Sequence, residues 1–346
     1  MLDPTLNKNT SIFERMKGKG DSPFFIVELS NNHNGEVNRA KKMIKFAADS
    51  GADAVKLQSW SKTSLSSKKA YENNPKLAAQ NERVSLSKEQ FKELKEYADH
   101  HHIMLTTSVF SEEETDMAVE LGMKFLKFAS LDLTNLPLLT YVAKKGLPLF
   151  LSVGMSSIAE IETAINTIYA TGNKQLVLMH CISNYPTEDN DINLNMIKTL
   201  KETFQIPIGF SDHTIGHPAC IAATTLGACA IEKHVKLMDG GACREKFFAL
   251  PITEIKDLVD NCKRIPYMLE GKGLYISPAQ LHQRKRMRRS VITKYPLQKG
   301  QTITKENITF KRPGTGISPD KLQFVLGRKL KKDIGEDEMI LWEDLE

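Results

Sequence analysis

Cysteine is scarce in this sequence, and long apolar runs are absent. The 346 residues include five cysteines, an odd number with no CxxC pair. This pattern argues against a disulfide framework and a structural zinc site, and it indicates reduced thiols in a cytoplasmic protein. No run reaches the roughly 18 apolar residues of a transmembrane helix, so no contact with a membrane is expected. Residues 1–23 lack the apolar centre of a secretory signal and predict a loose leader or a short surface helix.

A strong charge of one sign is also missing. The formal net charge is +5, which suits a small anionic substrate but does not by itself indicate a nucleic-acid partner. The one basic cluster, residues 284–289, is interpreted as a solvated hinge between domains. With 41% hydrophobic and 26% charged residues, the composition is typical of a soluble globular protein, and the length allows one barrel with a small appendage.

Short apolar runs alternate with segments of helical spacing. The strand candidates are residues 24–30, 54–60, 103–110, 125–130, 149–154, 175–181, 206–213 and 228–235. Helical spacing marks residues 37–50 and 158–170, and Ser87 with Gln90 predicts a capping box at the start of another helix. This alternation predicts a (β/α)8 TIM barrel. An open doubly wound sheet is the alternative, but residues 28–35 do not form the glycine-rich turn that it would need after its first strand.

Two successive strand candidates end in imidazoles. Ser211 and His213 lie two apart on one strand, and Glu232 and His234 lie two apart on the next. Residues two apart on a strand point to the same face, so both pairs would face one space. Two imidazoles with a carboxylate and a hydroxyl predict a half-shell for a divalent metal, with positions left open for substrate. A single histidine at such a place would more often be a structural residue.

The other strand ends are polar as well, and in a barrel they converge on one face. Lys56 and Lys127 interrupt apolar strands, which is costly unless each ammonium group meets an anion. With the hydroxyl groups around them they predict an oxyanion site, most simply for a phosphate. Any one serine is better explained as a cap, but the whole ring is not. The remaining polar residues at these ends are Glu28, Gln58, Ser108, Ser130, Ser152, Ser183 and Tyr185.

The sequence also suggests how the chain is divided. Residues 61–86 form the one long connection of the predicted barrel, either a lid over its mouth or an oligomer contact. Short β-prone pieces near the C-terminus predict a small domain of about 60 residues, which would need a barrel to dock on. The predicted division is an N-terminal leader (1–22), a TIM-barrel catalytic domain (23–270), a linker (271–287) and a small β-rich domain (288–346).

Several motifs, in order from about residue 22 to the C-terminus, together resemble a known family. They are Glu28-Leu-Ser-Asn-Asn-His33-Asn-Gly35, Ala54-Val-Lys56-Leu-Gln58, Lys127-Phe-Ala-Ser130, Thr134-Asn-Leu-Pro137, Leu151-Ser152-Val-Gly154-Met155, His180-Cys-Ile-Ser183-Asn-Tyr185-Pro-Thr187, Ser211-Asp-His213-Thr, Ile231-Glu232-Lys-His234, Arg288-Arg-Ser and Lys311-Arg312-Pro-Gly-Thr-Gly316. The chain resembles the bacterial sialic acid synthases, including the synthases of legionaminic and pseudaminic acids.

This resemblance implies a TIM barrel followed by an antifreeze-like (SAF) domain. It implies condensation of phosphoenolpyruvate with an N-acetylated mannose-type sugar, which gives a nine-carbon 2-keto-3-deoxy acid and phosphate. The sugar could be N-acetylmannosamine, its 6-phosphate or a diacetamido analogue. The resemblance further implies a domain-swapped homodimer in which Arg312 of one subunit reaches the sugar bound by the other.

The resemblance also assigns roles to the residues. His213 and His234 would hold a divalent metal, Mn²⁺ or else Mg²⁺ or Co²⁺. Glu28, Lys56, Gln58 and Glu232 would face the reacting atoms, and Glu28, Gln58, Tyr185 and Glu245 would contact the sugar together with Arg312. The phosphoenolpyruvate-binding residues would be Ser108, Lys127, Ser130, Ser152, Ser183, Tyr185 and Ser211.

Two departures from the family pattern bear on the substrate. Ser108-Val-Phe110 stands where Thr-Pro-Phe is usual, which keeps a hydroxyl group. In the loop after the last barrel strand, Arg244-Glu245 replaces a Pro-Asp step, so a longer carboxylate and an added cation stand where an aspartate contacts the sugar. The reaction class is expected to be unchanged, whereas the identity of the sugar is left open.

Other functions fit the same residues less well. A Schiff-base pyruvate aldolase on this barrel would use Lys56 or Lys127 as its nucleophile. A non-catalytic carbohydrate- or ice-binding protein would use the C-terminal domain and leave the barrel mouth without a role. Synthases that condense phosphoenolpyruvate with arabinose 5-phosphate or erythrose 4-phosphate have no antifreeze-like tail.

Overall fold

A computed structural model describes residues 12–16, 22–239, 245–271 and 273–346 of the chain. The chain divides into two compact units at the junction of Glu270 and Gly271. Arg244, which the sequence places beside the sugar site, lies outside the described residues.

Eight parallel strands form the first unit. They are β1 (Phe24–Glu28), β2 (Ala54–Gln58), β3 (Met104–Ser108), β4 (Leu126–Phe128), β5 (Leu149–Ser152), β6 (Leu176–His180), β7 (Ile208–Asp212) and β8 (Ala230–Lys236). Each pairs with the next in chain order, and β1 also pairs with β8, which closes the barrel; a short strand, β9 (Leu250–Pro251), pairs in parallel with the end of β8. The predicted TIM barrel is confirmed; β1 to β7 lie inside their predicted ranges, and β8 ends one residue beyond the predicted end at residue 235.

The described helices of the first unit surround the barrel or lie at one of its two ends. They are α1 (Ile12–Met16), α2 (Val37–Asp49), α3 (Lys62–Leu65), α4 (Lys68–Asn73), α5 (Pro75–Val84), α6 (Lys88–His100), α7 (Glu112–Glu120), α8 (Leu136–Ala143), α9 (Ile158–Ala170), α10 (Met196–Phe204), α11 (Pro218–Thr225) and α12 (Ile255–Leu269). The predicted capping box of Ser87 and Gln90 opens α6. In the described part of the chain, no helix is both long and apolar enough to cross a bilayer.

The barrel interior changes character from one end to the other. At the amino ends of the strands it is filled by aromatic rings, with Phe125 packed 5.5 Å from Phe24 and 4.9 Å from Phe150. Phe13 of α1 is buried in the same cluster, and Arg15 forms an ion pair with Asp53. The described part of the predicted leader is therefore a helix that packs under the barrel. Polar side chains occupy the opposite end, where the strands finish.

The connection between β2 and β3 carries the extra helices α3, α4 and α5. The buried carboxylate of Glu114 anchors its start, because it accepts hydrogen bonds from Ser59 Oγ at 3.1 Å and Ser64 Oγ at 2.5 Å. The same carboxylate accepts from the backbone N–H of Phe110 at 2.8 Å. These bonds fix the start of the connection at the mouth of the barrel. Trp60 and Leu65 line the cavity that opens there.

The described residues of the second unit include an α-helix, short 3-10 turns and a small sheet. Helix α13 (Pro278–Met287) occupies much of the predicted linker; a capping box of Ser277 and Gln280 starts it, and none of its residues is buried. The basic cluster therefore begins on a helix. Strands β10 (Ser290–Thr293) and β11 (Ile308–Lys311) pair antiparallel. A separate apolar core that includes Val291, Val325 and Leu330 holds the unit together.

Buried charge joins the last two barrel strands on their outer side. Lys233 of β8 and Asp212 of β7 are fully buried, with 2.7 Å between Nζ and Oδ2, and Lys233 also donates to the Thr214 carbonyl at 2.7 Å. Both residues alternate with the inward-facing residues of the predicted metal site, since neighbouring residues on a strand point to opposite faces. The pair thus fixes the pairing of β7 with β8 from behind.

We expect Lys233→Met to lower the free energy of unfolding by about 3–5 kcal/mol, because it leaves the buried Asp212 carboxylate without its counter-charge. Lys45→Met is the matched control, since its ion pair with Asp49 is exposed and such pairs contribute about 0.5 kcal/mol or less. Urea unfolding of both variants measures the difference. A loss below about 1 kcal/mol for Lys233→Met would contradict the role given to this pair.

Candidate active site

A cavity of about 590 Å³ opens where the barrel strands end. Most of the residues that the sequence predicts for the site line it: Lys56, Gln58, Ser108, Lys127, Ser130, Ser152, Ser183, Tyr185, Ser211, His213, Glu232, His234 and Glu245. Glu28 is fully buried beside them and contacts Lys56 and Gln58. Arg312 belongs to the second unit, where it follows β11 and is exposed.

The floor of the cavity is a network of buried charges. Lys56 forms an ion pair with Glu28 and donates to Ser108 Oγ at 3.0 Å, and Lys127 donates to Ser152 Oγ. Glu232 Oε1 lies 3.9 Å from Nζ of Lys56 and 4.0 Å from Nζ of Lys127. The barrel register creates this arrangement, because it sets Glu28 opposite Lys56 and Ser108 opposite Lys127.

Burial and charge move the pKa values of the floor residues in different directions. Burial raises the pKa of Glu28, against the pull of Lys56. Burial also works to raise the pKa of Glu232, but Lys127 and Lys56 outweigh it and bring the pKa to about 2. Burial lowers the pKa of Lys127, whereas for Lys56 the carboxylates of Glu232 and Glu28 overcome burial and raise it. Glu232 is therefore the ionised counter-charge that both lysines share.

Hydroxyl groups gather beside this floor, around Gly154. The Ser130 hydroxyl accepts a hydrogen bond from the Gly154 N–H at 3.0 Å and lies 3.2 Å from Sγ of Cys181. A Cβ atom on Gly154 would stand 2.5 Å from Ser183 Oγ, too close for any side chain. Glycine at this position lets the hydroxyls of Ser130 and Ser183 come together, and the bond from the Gly154 N–H leaves the Ser130 hydroxyl hydrogen available for an oxyanion.

The two imidazoles lie close to one another above the floor. The ring centroids of His213 and His234 are 5.0 Å apart. Nδ1 of His213 is 2.7 Å from the Ile182 carbonyl, and Nδ1 of His234 is 2.9 Å from Oε2 of Glu245. Because a carbonyl and a carboxylate only accept, each Nδ1 carries the proton and each Nε2 is left for a ligand. The structure thus brings together the two residues that the sequence pairs.

Their surroundings make the two imidazoles unequal. Burial, with the neighbouring His234, lowers the pKa of His213 to about 3. Burial also works to lower the pKa of His234, but the Glu245 carboxylate outweighs it and raises the pKa.

Ser211 Oγ donates to Glu232 Oε1 at 2.8 Å, and Glu232 Oε2 is buried with no hydrogen-bond partner among the described residues.

These groups fit a divalent metal that is completed by other ligands. Within the described residues, no three His, Cys, Asp or Glu side chains are arranged to hold a metal ion by themselves. Two oriented imidazoles, with the unpartnered oxygen of Glu232 nearby, match an open site in which water and substrate supply the remaining ligands. His213 and His234 are the residues that would hold the ion.

Some contributors to the site escape the sequence patterns. Ser30 donates to Glu245 Oε1 at 2.7 Å, and Asn32 donates to Oε2 at 3.0 Å. Phe248 packs 5.3 Å from the ring of His234 and 5.4 Å from the ring of Tyr185. The signal for Ser30 and Asn32 is their place in the polar run after β1. An aromatic residue in a loop carries no comparable signal.

Two protein-family models together match most of the chain. The model of the NeuB family matches residues 43–273, and the SAF domain model matches residues 288–346.

Individual proteins are similar over most of the length of the chain. An uncharacterized protein of Methanocaldococcus jannaschii is 40% identical, over 96% of this chain and 98% of its own. The N,N'-diacetyllegionaminic acid synthase of Legionella pneumophila is 35% identical, over 95% of this chain and 96% of its own. The crystal structure of the N-acetylneuraminic acid synthetase of Leptospira borgpetersenii, in complex with citrate, is 31% identical with a TM-score of 0.70, and the match covers 76% of this chain and 90% of that one.

The proton positions of two buried histidines provide a test of the site geometry. We expect His213 to be neutral near pH 7 with its proton on Nδ1, because its pKa is about 3 and that atom faces the Ile182 carbonyl. His180 is the internal control: burial lowers its pKa too, but its Nε2 faces the Ile192 carbonyl at 2.9 Å, so its proton belongs on Nε2. Long-range ¹H–¹⁵N spectra of the metal-free protein report both tautomers. A proton on Nε2 of His213 would contradict the proposed ligand atom.

Proposed function

This chain belongs to the NeuB family, and we propose that it condenses phosphoenolpyruvate with an N-acetylated mannose-type amino sugar and water, to give a nine-carbon 2-keto-3-deoxy acid of the sialic type and phosphate. The proposal depends on one observation: two lysines, several hydroxyl groups and two oriented imidazoles line the same cavity. The names of the relatives from Legionella and Leptospira support the same reaction class.

The balance of charges in the cavity supports the proposal that a divalent cation is part of the site. The ammonium groups of Lys56 and Lys127 are matched by the carboxylates of Glu28 and Glu232, so the floor carries no surplus positive charge. Phosphoenolpyruvate brings a carboxylate and a phosphate. A divalent ion at His213 and His234, Mn²⁺ or else Mg²⁺ or Co²⁺, would supply the missing charge and polarise the sugar aldehyde.

The floor residues suit the binding of phosphoenolpyruvate. Lys127 with Ser152, and the hydroxyls of Ser130 and Ser183 at Gly154, offer charged and neutral donors to the phosphate. Ser108, Tyr185 and Ser211 complete the proposed pocket. These contacts would hold the enol carbon toward the aldehyde, which removes much of the orientational cost of a two-substrate reaction.

Glu28 is the proposed catalytic carboxylate. The new bond joins C3 of phosphoenolpyruvate to the aldehyde carbon, whose oxygen takes up a proton, and positive charge develops at C2. Water then adds to C2 and loses a proton, which balances the one taken up by the aldehyde oxygen. The bond from C2 to the phosphate oxygen breaks, and the C2 hydroxyl gives its proton to the departing phosphate as the 2-keto group forms. A buried carboxylate stabilises the charge at C2, and the raised pKa of Glu28 suits it to accept the proton from water. Lys56, Gln58 and Glu232 would keep the reacting groups and Glu28 in place.

The rim of the cavity favours an uncharged sugar. Trp60, Leu65, Phe110, Phe247 and Met155 line it, and among the described lining residues the only Lys or Arg side chains are Lys56 and Lys127. A phosphate dianion on the sugar would lose hydration against these apolar side chains, which disfavours a sugar 6-phosphate. Methyl groups of N-acetyl substituents fit an apolar wall, so a non-phosphorylated acetamido or diacetamido sugar is the proposed substrate, with Gln58 and Tyr185 among its contacts.

A second subunit is part of the proposal. Arg312 is exposed at the end of β11 and would contact the sugar bound by the other member of a domain-swapped homodimer. A cytoplasmic location also belongs to the proposal, since phosphoenolpyruvate is a cytoplasmic metabolite.

Phosphate release from phosphoenolpyruvate tests the reaction. We expect turnover with N-acetylmannosamine or its diacetamido analogue and at least a tenfold lower kcat/KM with the 6-phosphate, a difference of about 1.4 kcal/mol. Trapping with borohydride and pyruvate separates the aldolase alternative, because a Schiff base at Lys56 or Lys127 would leave a covalent adduct. A labelled lysine, or no phosphate release with any sugar of the panel, would refute the proposal.

Replacement of either imidazole tests the metal. We expect His213→Ala and His234→Ala to lower kcat by about 10³-fold or more, as loss of a Lewis acid should, and we expect a chelator to inactivate the unmodified protein. His180→Asn is the control, because that histidine is buried but does not line the cavity. Full activity in either alanine variant would exclude the metal assignment.

A further inference from the structure

We propose that Glu245 is a positioning residue that orients His234, and that it is not primarily a contact for the sugar. The proposal rests on the proposed function, since it takes His234 as a metal ligand. It revises the expectation from the family pattern, in which a shorter aspartate at this place contacts the sugar.

Both oxygens of the Glu245 carboxylate already accept hydrogen bonds within the protein. Oε1 accepts a hydrogen bond from Ser30 Oγ at 2.7 Å. Oε2 accepts from Asn32 Nδ2 at 3.0 Å and from His234 Nδ1 at 2.9 Å. The side chain is only 14% exposed, so these bonds form in a poorly hydrated environment and are correspondingly strong. A sugar hydroxyl would have to compete with them.

Asn32, which donates to Glu245, is itself fixed by hydrogen bonds. Nδ2 of Asn32 also donates to the Val235 carbonyl at 2.8 Å, which ties the loop after β1 to β8. The buried Arg39 donates from Nε to the Asn32 carbonyl at 2.8 Å. Glu245 therefore connects His234 to a rigid anchor made by two neighbouring strands, which is the arrangement that orients metal-binding histidines in other sites.

The length of the Glu245 side chain also suits it to orient His234. The carboxylate spans from Ser30 to His234, and the extra methylene of glutamate extends it beyond the reach of an aspartate at the same backbone position. The backbone of Glu245 also begins a turn, because its carbonyl accepts from the N–H groups of Phe248 at 3.1 Å and Ala249 at 2.9 Å. This turn sets Phe248 against the ring of His234. One residue thus fixes His234 from two sides.

The experiment compares Glu245→Gln with the unmodified full-length protein in two measurements. The first is the dissociation constant of Mn²⁺ without substrates, from the electron paramagnetic resonance signal of the free ion. The second is the KM of the sugar at saturating Mn²⁺. We expect Mn²⁺ affinity to fall 10- to 100-fold, as for other second partners of ligating histidines, while the KM of the sugar changes less than about threefold.

Two further variants control for folding and for charge. Ser30→Ala removes one anchor and keeps the carboxylate, and it should weaken Mn²⁺ binding about two- to fivefold. Glu120→Gln removes an exposed carboxylate on α7 and should change neither quantity. Circular dichroism and thermal unfolding identify any variant that fails to fold, and in that event Ser30→Ala carries the test.

The two measurements distinguish failure of the role proposed for Glu245 from failure of the proposed function. Unchanged Mn²⁺ affinity together with a tenfold or larger rise in the KM of the sugar would overturn the proposal in favour of a direct sugar contact. Absence of Mn²⁺ binding by the unmodified protein would overturn it as well. If phosphate release fails with every sugar, the proposed function is lost, yet the change in Mn²⁺ affinity still decides the role of Glu245.

Discussion

Glu232 lies between two buried ammonium groups, and the construction of the barrel mouth depends on that contact. Lys56 and Lys127 point into a space with little water, where an unpaired ammonium would lose its charge or destabilise the fold. Oε1 of Glu232 is 3.9 Å from one nitrogen and 4.0 Å from the other. The carboxylate thereby keeps two cations in the buried interior of the barrel, and Ser211 holds it in place.

The alternation of side chains along β8 links this counter-charge to the imidazoles. Glu232 and His234 point inward, and Lys233 between them points outward to Asp212. A shift of one residue in the pairing of β7 with β8 would exchange these faces and bury the wrong groups on both sides. The buried ion pair behind the sheet and the charge network in front of it therefore require the same register.

The sequence was sufficient for the barrel because its strands and helices repeat a strong local pattern. It was also sufficient to predict that His213 and His234 lie close together, because residues two apart along a strand point to the same face and the two strands are neighbours in the barrel. It could not show that Glu245 turns its carboxylate to His234, since this depends on a loop whose path is set by contacts with Ser30 and Asn32. Nor could it show that Phe13 packs under the barrel or that the predicted linker holds a helix, because short segments carry too little periodicity.

The aromatic filling at the amino end of the barrel has a consequence for the order of events. Phe24, Phe125 and Phe150 close that end, so molecules reach the charged floor through the mouth where the strands finish. A ligand that occupies the floor must then enter before one that occupies the rim, and it must leave after it. Ligands therefore bind and leave in a fixed order, because the barrel is open at its mouth and closed by aromatic side chains at its amino end.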